Sequence, residues 1–202
     1  MEEQISRIAA QVADRLFVEV EASGRHVHLT KDQAMTLFGH GLTPKRPLSQ
    51  PGQVVCQERV EVLGPKGSFP KVAVLGPERK EGQVEISLTD GVTLGLTAPV
   101  RLSGQVRESP GITLRGPKGE VRLDHGVIVA QRHIHMPPEE AAARGLTDGQ
   151  VVRLKMFTAR PLVFDDVVVR VDPSFTPRVH IDFDEANACA YQSGDFGMII
   201  RG

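Results

Sequence analysis

Arg25-His26-Val27-His28-Leu29 and Arg132-His133-Ile134-His135-Met136 are one short word written twice, and four of the seven histidines of the chain fall in these two copies. In an extended segment, side chains at i and i+2 share a face. Each His-x-His therefore aims two imidazoles to one side and sends Val27 or Ile134 to the other. The residues after each copy repeat a pattern as well. Thr30-Lys31-Asp32-Gln33 has the pattern of a capping box, with Thr30 as N-cap and Gln33 at N3, and leads into a short helix through Ala34, Met35, Leu37 and Phe38 that Gly39 can end. After Met136, Pro137-Pro138-Glu139-Glu140 suits a first helical turn and Gly145 suits its end. Both copies read as strand, His-x-His, turn, short helix, glycine.

Outward from the two copies the chain reads as mainly β. Val54-Val55, 60–63, 71–75, 84–88, 112–114, 127–129, 151–154, 167–171 and 179–183 are short runs rich in Val and Ile, punctuated by Gly and Pro. Gly64-Pro65-Lys66-Gly67 and Gly116-Pro117-Lys118-Gly119 have the composition of phosphate loops, but neither opens a helix after a strand, so they read as hairpin turns. Many short strands with few helices predict small β-barrels, with the helices after each His-x-His as caps. At the N-terminus, Ile5, Ile8, Ala9, Val12 and Leu16 form one helical stripe. This helix runs into an apolar strand from Leu16 with no Pro/Gly/Ser linker, so its stripe is expected to pack on the adjoining domain rather than act as a free targeting peptide.

A pair of histidines needs further ligands to hold a metal. Val179-His180-Ile181-Asp182-Phe183 and Val84-Glu85-Ile86-Ser87-Leu88 alternate alike, which makes His180 and Glu85 equivalent. Two sets result: His26, His28 and Glu85; His133, His135 and His180. Each is a three-ligand set of the kind catalytic zinc uses, with a position left for water or substrate. The dull readings are a packing pair of histidines and a solvated carboxylate; duplication in matching context outweighs them. His40 and His125 read as loop residues, and Asp182, Asp184 and Glu185 lack calcium-loop spacing and read as strand-end and helix-start acids.

With 202 residues, 40% apolar content and a net charge of −1, the chain can bury one or two cores and carries neither a basic footprint for nucleic acid nor a polybasic membrane patch. No apolar run approaches the roughly 18 residues of a membrane span, and no secretory signal is evident. Cys56 and Cys189 lack metal-motif spacing and suit a reducing compartment with both thiols free.

Taken in order, Arg25-His26-Val27-His28-Leu29, Gln50-Pro51-Gly52-Gln53, Leu75-Gly76-Pro77-Glu78-Arg79, Val84-Glu85-Ile86-Ser87, Arg132-His133-Ile134-His135 and His180-Ile181-Asp182 with Asp184-Glu185-Ala186-Asn187-Ala188 resemble the PduL-type phosphotransacylases over nearly the whole chain. The resemblance implies an acyltransferase that interconverts propanoyl-CoA or acetyl-CoA plus phosphate with acyl phosphate plus CoA. It implies two interwoven β-barrels, 16–24 with 131–202 forming one and 25–130 the other, after a helix over 1–15, with a site of two zinc ions between them. Carried over by position, the metals fall to the two sets already named. Arg79 takes the place of the phosphate-handling arginine, and Ser103 falls at a substrate-pocket position. A homodimer is implied as well.

On that resemblance phosphate attacks the thioester directly. Arg79 orients phosphate through paired N–H donors and a metal stabilises charge, with neither cysteine carrying an acyl group. Two other readings share the constellation: a cupin-like metal oxygenase or isomerase, and a zinc staple that joins two barrels for partner binding. Arg79 beside the first set discriminates, because a staple has no need of it. The missing linker after the N-terminal helix favours a cytoplasmic enzyme, with packaging in a bacterial microcompartment left open.

Overall fold

The computed structural model describes residues 1–200; the side chains of Glu2, residues 8–11 and Asp14 lie outside the description. The chain begins α1 (Glu2–Leu16), β1 (Phe17–Ser23), β2 (His26–His28), α2 (Lys31–Phe38), β3 (Pro44–Pro47), β4 (Val54–Leu63), β5 (Ser68–Gly76) and β6 (Gln83–Ile86). It continues with α3 (Leu88–Leu94), β7 (Val100–Arg101), β8 (Ile112–Arg115), β9 (Glu120–Leu123), β10 (Val127–Ala130) and β11 (His133–Met136). The last elements are α4 (Pro138–Ala143), β12 (Val151–Met156), β13 (Val163–Val171), β14 (Arg178–Asp182), α5 (Phe183–Cys189) and β15 (Phe196–Ile200). The fold is mainly β with short helices, as the sequence leads one to expect.

Two compact units divide the chain. A terminal unit joins Met1–Ser23 to the chain from Arg132 onward, and a central unit holds Gly24–Gln131. In the terminal unit six strands close into a barrel in the order β1-β14-β11-β13-β12-β15. In the central unit the order β7-β10-β6-β2-β5-β4-β8-β9, with β3 paired to β4, forms a nine-stranded sheet whose end strands do not pair with each other. The second barrel is therefore a curled open sheet. Its end strand β7 has only two residues, too short to complete a ladder.

Each unit encloses its own core. Val27, Leu37, Val74, Val84, Leu114 and Val127 are among the side chains at the centre of the central unit, and Val20, Ile134, Leu154, Val169, Val179 and Ile181 among those of the terminal unit. The strands are built alike. β2 lies between parallel β5 and antiparallel β6, and β11 lies between parallel β13 and antiparallel β14. Even an irregularity is shared: Lys71 in β5 and Asp166 in β13 both have positive φ (57° and 53°), and each lies two residues before the partner of the first histidine, Ala73 or Val168.

The helix ends obey the sequence signals. Thr30 and Gln33 form the capping box of α2, and Gly39 closes it in the left-handed region. Asp182 caps α5, which accounts for the acids there. The segment after Ser87 does not remain extended; α3 starts at Leu88, capped by a Ser87/Asp90 box. Its seven residues include Gly91 and three β-branched side chains, Thr89, Val92 and Thr93, so intrinsic propensity hides it and the box is its main signal.

The stripe of α1 does not pack as expected. Ile5, Val12 and Leu16 are exposed, while Ile8 and Ala9 fall among the undescribed side chains. Phe17 is extended, so the helix passes directly into β1 without a turn that would fold the stripe back on the barrel.

Both Gly-Pro-Lys-Gly segments are hairpin turns, closed by Gly64 N–H to Gly67 O at 2.8 Å and by Gly116 N–H to Gly119 O at 2.9 Å. They also finish two helices. Lys66 N–H donates to Leu94 O at the end of α3, and Lys118 N–H donates to Leu37 O at the end of α2, each at 3.0 Å. Carbonyls of a last helical turn lack intrahelical donors, and the hairpins supply them. A methyl group at Gly64 or Gly116 would overlap the same two carbonyl groups. Gly64→Ala and Gly116→Ala are expected to destabilise the protein by about 1–3 kcal/mol, the usual range for overpacking, seen as a lower midpoint in thermal unfolding.

Candidate metal centres

The sheet register assembles both predicted sets. In the central unit His26 lies opposite Glu85, and His28 opposite Gln83. In the terminal unit His133 lies opposite His180, and His135 opposite Arg178. The equivalence of Glu85 and His180 drawn from sequence alternation is thus an equivalence of register. Potential ligand atoms of His26, His28 and Glu85 lie within 4.8 Å of one another, and the same holds for His133, His135 and His180.

Within the first set, His26 Nε2 lies 3.4 Å from one Glu85 oxygen and His28 Nε2 lies 3.8 Å from the other. Donors at 2.0–2.1 Å from a tetrahedral ion stand roughly 3.3–3.4 Å apart, which the His26–Glu85 separation matches and the 3.8 Å His28–Glu85 separation exceeds by a few tenths of an ångström. His26 donates Nδ1–H to the Gly24 carbonyl at 2.9 Å, which turns Nε2 toward Glu85. Burial opposes the Glu85 charge, but His26, His28 and Arg79 outweigh it and hold the carboxyl well below its usual range. Burial, His26 and Arg79 push His28 well below its ordinary value. Burial also opposes a charge on His26, yet the Glu85 carboxylate raises it overall. At neutral pH the set therefore offers a carboxylate and a neutral imidazole, and His26 is the member most inclined to hold a proton.

Arg79 and Ser103 are linked by hydrogen bonds to this set. Arg79 Nη1 donates to Ser103 Oγ at 2.9 Å, and its backbone N–H donates to Leu29 O at 2.8 Å, one residue beyond His28. Gln83, 2% exposed, completes the connection. Its amide nitrogen donates to Glu85 Oε1 at 2.6 Å and to Ser103 Oγ at 2.9 Å, while its oxygen accepts from Gly104 N–H at 2.8 Å. Sequence reasoning missed Gln83. Period two from Glu85 would have placed it on the same face.

The second set has different neighbours. His180 Nε2 is buried, lacks a hydrogen-bond partner of good geometry among the described residues and lies 3.3 Å from a Glu21 oxygen. Glu21 stands beside His180 in register on β1, where the central unit has Ile128 beside Glu85. Arg178 pairs with Glu19, Arg170 Nη1 lies 3.5 Å from His135 Nε2, and the Phe175 ring packs 4.1 Å from the His135 ring. None of Glu21, Arg170, Arg178 and Phe175 is marked by a motif in the sequence.

Neither cysteine is part of either set. Both are buried and free. Burial, with Glu58 and Glu78, pushes the Cys56 thiol up to about 11, and burial raises Cys189 as well. His40 and His125 are exposed loop residues. No helix among the described residues is long and apolar enough to cross a membrane.

The family model described as phosphate propanoyltransferase matches residues 19–192. A phosphate propanoyltransferase of Enterococcus faecalis is 52% identical over 203 residues, covering 100% of this chain and 95% of that protein. One of Listeria monocytogenes is 53% identical over 186 residues, covering 91% and 87%, and one of Thermotoga maritima is 47% identical over 185 residues, covering 90% and 88%. The cupin-like and zinc-staple readings find no support in these relatives. With both donor sets formed in register, and with similarity running along almost its whole length, the chain belongs to the phosphate propanoyltransferase family and is an acyltransferase.

Proposed function

We propose that the protein exchanges a short acyl group, propanoyl or acetyl, between CoA and phosphate, by direct attack of a phosphate oxygen on the thioester carbonyl. The observation that carries this reading is the hydrogen-bonded run from Arg79 through Ser103 and Gln83 to Glu85, which ties a cation suited to phosphate to one donor set. A guanidinium offers paired donors in a planar fork, which orient phosphate where a lysine would supply only a point charge. Ser103 fixes one edge of that fork and contributes a hydroxyl to the substrate pocket.

His26, His28 and Glu85 would hold one zinc ion, and His133, His135 and His180 another. Imidazole-rich sets with at most one carboxylate suit zinc. Zinc so held would act as a Lewis acid toward the carbonyl or the departing thiolate. The protein's own contribution is placement. Arg79 turns a phosphate oxygen toward the acyl carbon, and Gln83 keeps Glu85 oriented while the acyl group moves. Cys56 and Cys189 are held as neutral buried thiols, poor nucleophiles, so no acyl-cysteine is formed. We further propose a homodimer that works in the cytoplasm or, if the exposed stripe of α1 docks to a shell, in a microcompartment.

Purified protein is expected to release CoA thiol from propanoyl-CoA or acetyl-CoA only when phosphate is present. Arg79→Ala should lower that rate by about 10²–10³-fold with bound metal unchanged. Arg79→Lys should recover little of it; metal retained with a rate near wild type in Arg79→Ala would refute the role of this residue. The Cys56→Ala/Cys189→Ala double variant should keep most of its turnover, and loss of turnover with metal intact would point to a covalent route instead. Treatment with a chelator should abolish activity and added zinc should restore it. Since His26 is raised by Glu85, protons compete with metal as pH falls through the histidine range. Metal affinity, read by chelator competition, should decline on acidification and recover on return to neutral pH.

A further inference from the structure

The arginine that opens each His-x-His word belongs to neither donor set, yet in both words it bonds to the acid in the first turn of the helix after the third donor. Arg25 donates from Nε and Nη2 to the two oxygens of Asp90 at 3.0 and 2.6 Å, and its guanidinium lies 4.0 Å from the centre of the Phe69 ring. Arg132 donates from Nη1 to Glu185 at 2.7 Å and from Nε to the Asp165 carbonyl at 2.5 Å, a single rather than a forked contact to the acid, with its guanidinium 5.7 Å from the Phe164 ring. The residues correspond by register. Phe69 and Phe164 each lie four positions before the strand partner of the first histidine, Ala73 and Val168. Asp90 and Glu185 are the N3 residues of α3 and α5, the helices that come directly after the strands of Glu85 and His180. Each acid also accepts the N-cap backbone N–H, from Ser87 at 3.2 Å and from Asp182 at 2.9 Å.

We propose that Arg25 and Arg132 are positioning residues, each fastening the start of the strand that carries two donors to the helix that comes immediately after the third. This rests on the reading of the two sets as metal sites. β2 has three residues and β6 and β11 four each, so their ladders alone leave ends free to shift. A metal site needs its donors held to within roughly 0.5 Å. The brace adds a charged bond at the point where the ladder ends, and both third donors sit two residues before the N-cap that it secures.

The surroundings sharpen the effect. The Asp90 side chain is 7% exposed, and a carboxylate so buried is stable only with its partner in place. The Gly24 carbonyl that sets the His26 ring belongs to the residue just before Arg25, so anchoring Arg25 also anchors that carbonyl. The fork of Arg25 meets both Asp90 oxygens while its face covers Phe69, a combination that lysine cannot reproduce. Duplication of all three parts, arginine, ring and N3 acid, marks a shared task of the two donor sets.

The test is a titration of metal-stripped, full-length protein with Co²⁺, monitored by visible absorption and by competition with a chelator. Wild type should take up two ions per chain. Arg25→Gln and Asp90→Asn should weaken one ion by about 10- to 100-fold and leave the other unchanged, whereas Arg132→Gln and Glu185→Gln should weaken the other. The amide variants are nearly isosteric and serve if an arginine variant does not fold. Wild-type affinity for both ions in folded variants would overturn the proposal. So would a single variant that weakens both ions equally, in step with its unfolding temperature, because that is the mark of a general loss of stability. If wild type itself binds no Co²⁺, the metal reading fails before the braces are tested.

Discussion

Antiparallel pairing of a very short His-x-His strand with the strand that bears the third donor is the constraint on which both centres depend. His26 faces Glu85 and His133 faces His180 because β2 and β11 are each held on two sides, by a parallel neighbour and an antiparallel one. Side-chain direction alternates with period two, so a slip of one residue would turn the histidines into the core and expel Val27 or Ile134. Those two side chains are fully buried, which makes the slip costly. The apolar half of each strand thus fixes where its polar half points.

Given that register, the polar residues need not be alike, and they are not. In the central unit Gln83 and Leu75 flank His28 across the sheet; in the terminal unit Arg178 and Arg170 flank His135. The carboxylate shifts too, from the third-donor position at Glu85 to the next strand at Glu21. A carboxylate in the donor set favours a proton on His26 against the cost of burial, while burial, with the charges of His26 and Arg79, lowers His28. A carboxylate one strand away leaves three imidazoles as the set and places negative charge at its border. One scaffold therefore carries two sites of different charge.

Much of this can be read in the sequence because the two words and the helices after them carry local signals. Alternation within Val84-Glu85-Ile86 and Val179-His180-Ile181 is enough to pair the third donors, since a strand exposes its register through its apolar positions. α3 is hidden, because a seven-residue helix with Gly91 has little propensity and is held by tertiary contacts and its cap. The open edge of the central sheet is hidden as well: closure depends on whether distant strands meet, which no local pattern states. Period two places Gln83 on the face of Glu85, but its tie to Ser103 escapes sequence reading for the same reason that the role of Arg25 does. Each acts through a partner distant in sequence, Ser103 for one and Asp90 for the other, and a single chain shows the residue but not the partner. Ile5, Val12 and Leu16 of α1 are the opposite case, apolar positions that stay exposed among the described side chains.

Divergence between the units also bears on where phosphate chemistry would reside. Leu75 and Arg170 are register equivalents beside the second histidine of each word, and counting four residues on from each reaches Arg79 in one unit and Ser174 in the other. Ser174 turns back on its own loop and bonds to Asp172, whereas Arg79 is tied by its backbone to Leu29 and by its side chain to Ser103. Both loops leave a strand that pairs with a His-x-His word, so both could present a group to a donor set. At this loop position the central unit carries an arginine held from two directions, whereas in the terminal unit the guanidinium near the donors is that of Arg170 on the strand itself, 3.5 Å from His135 Nε2. The two units share a scaffold that holds donors in register and differ at this loop position, and that difference is what the proposed role of Arg79 rests on.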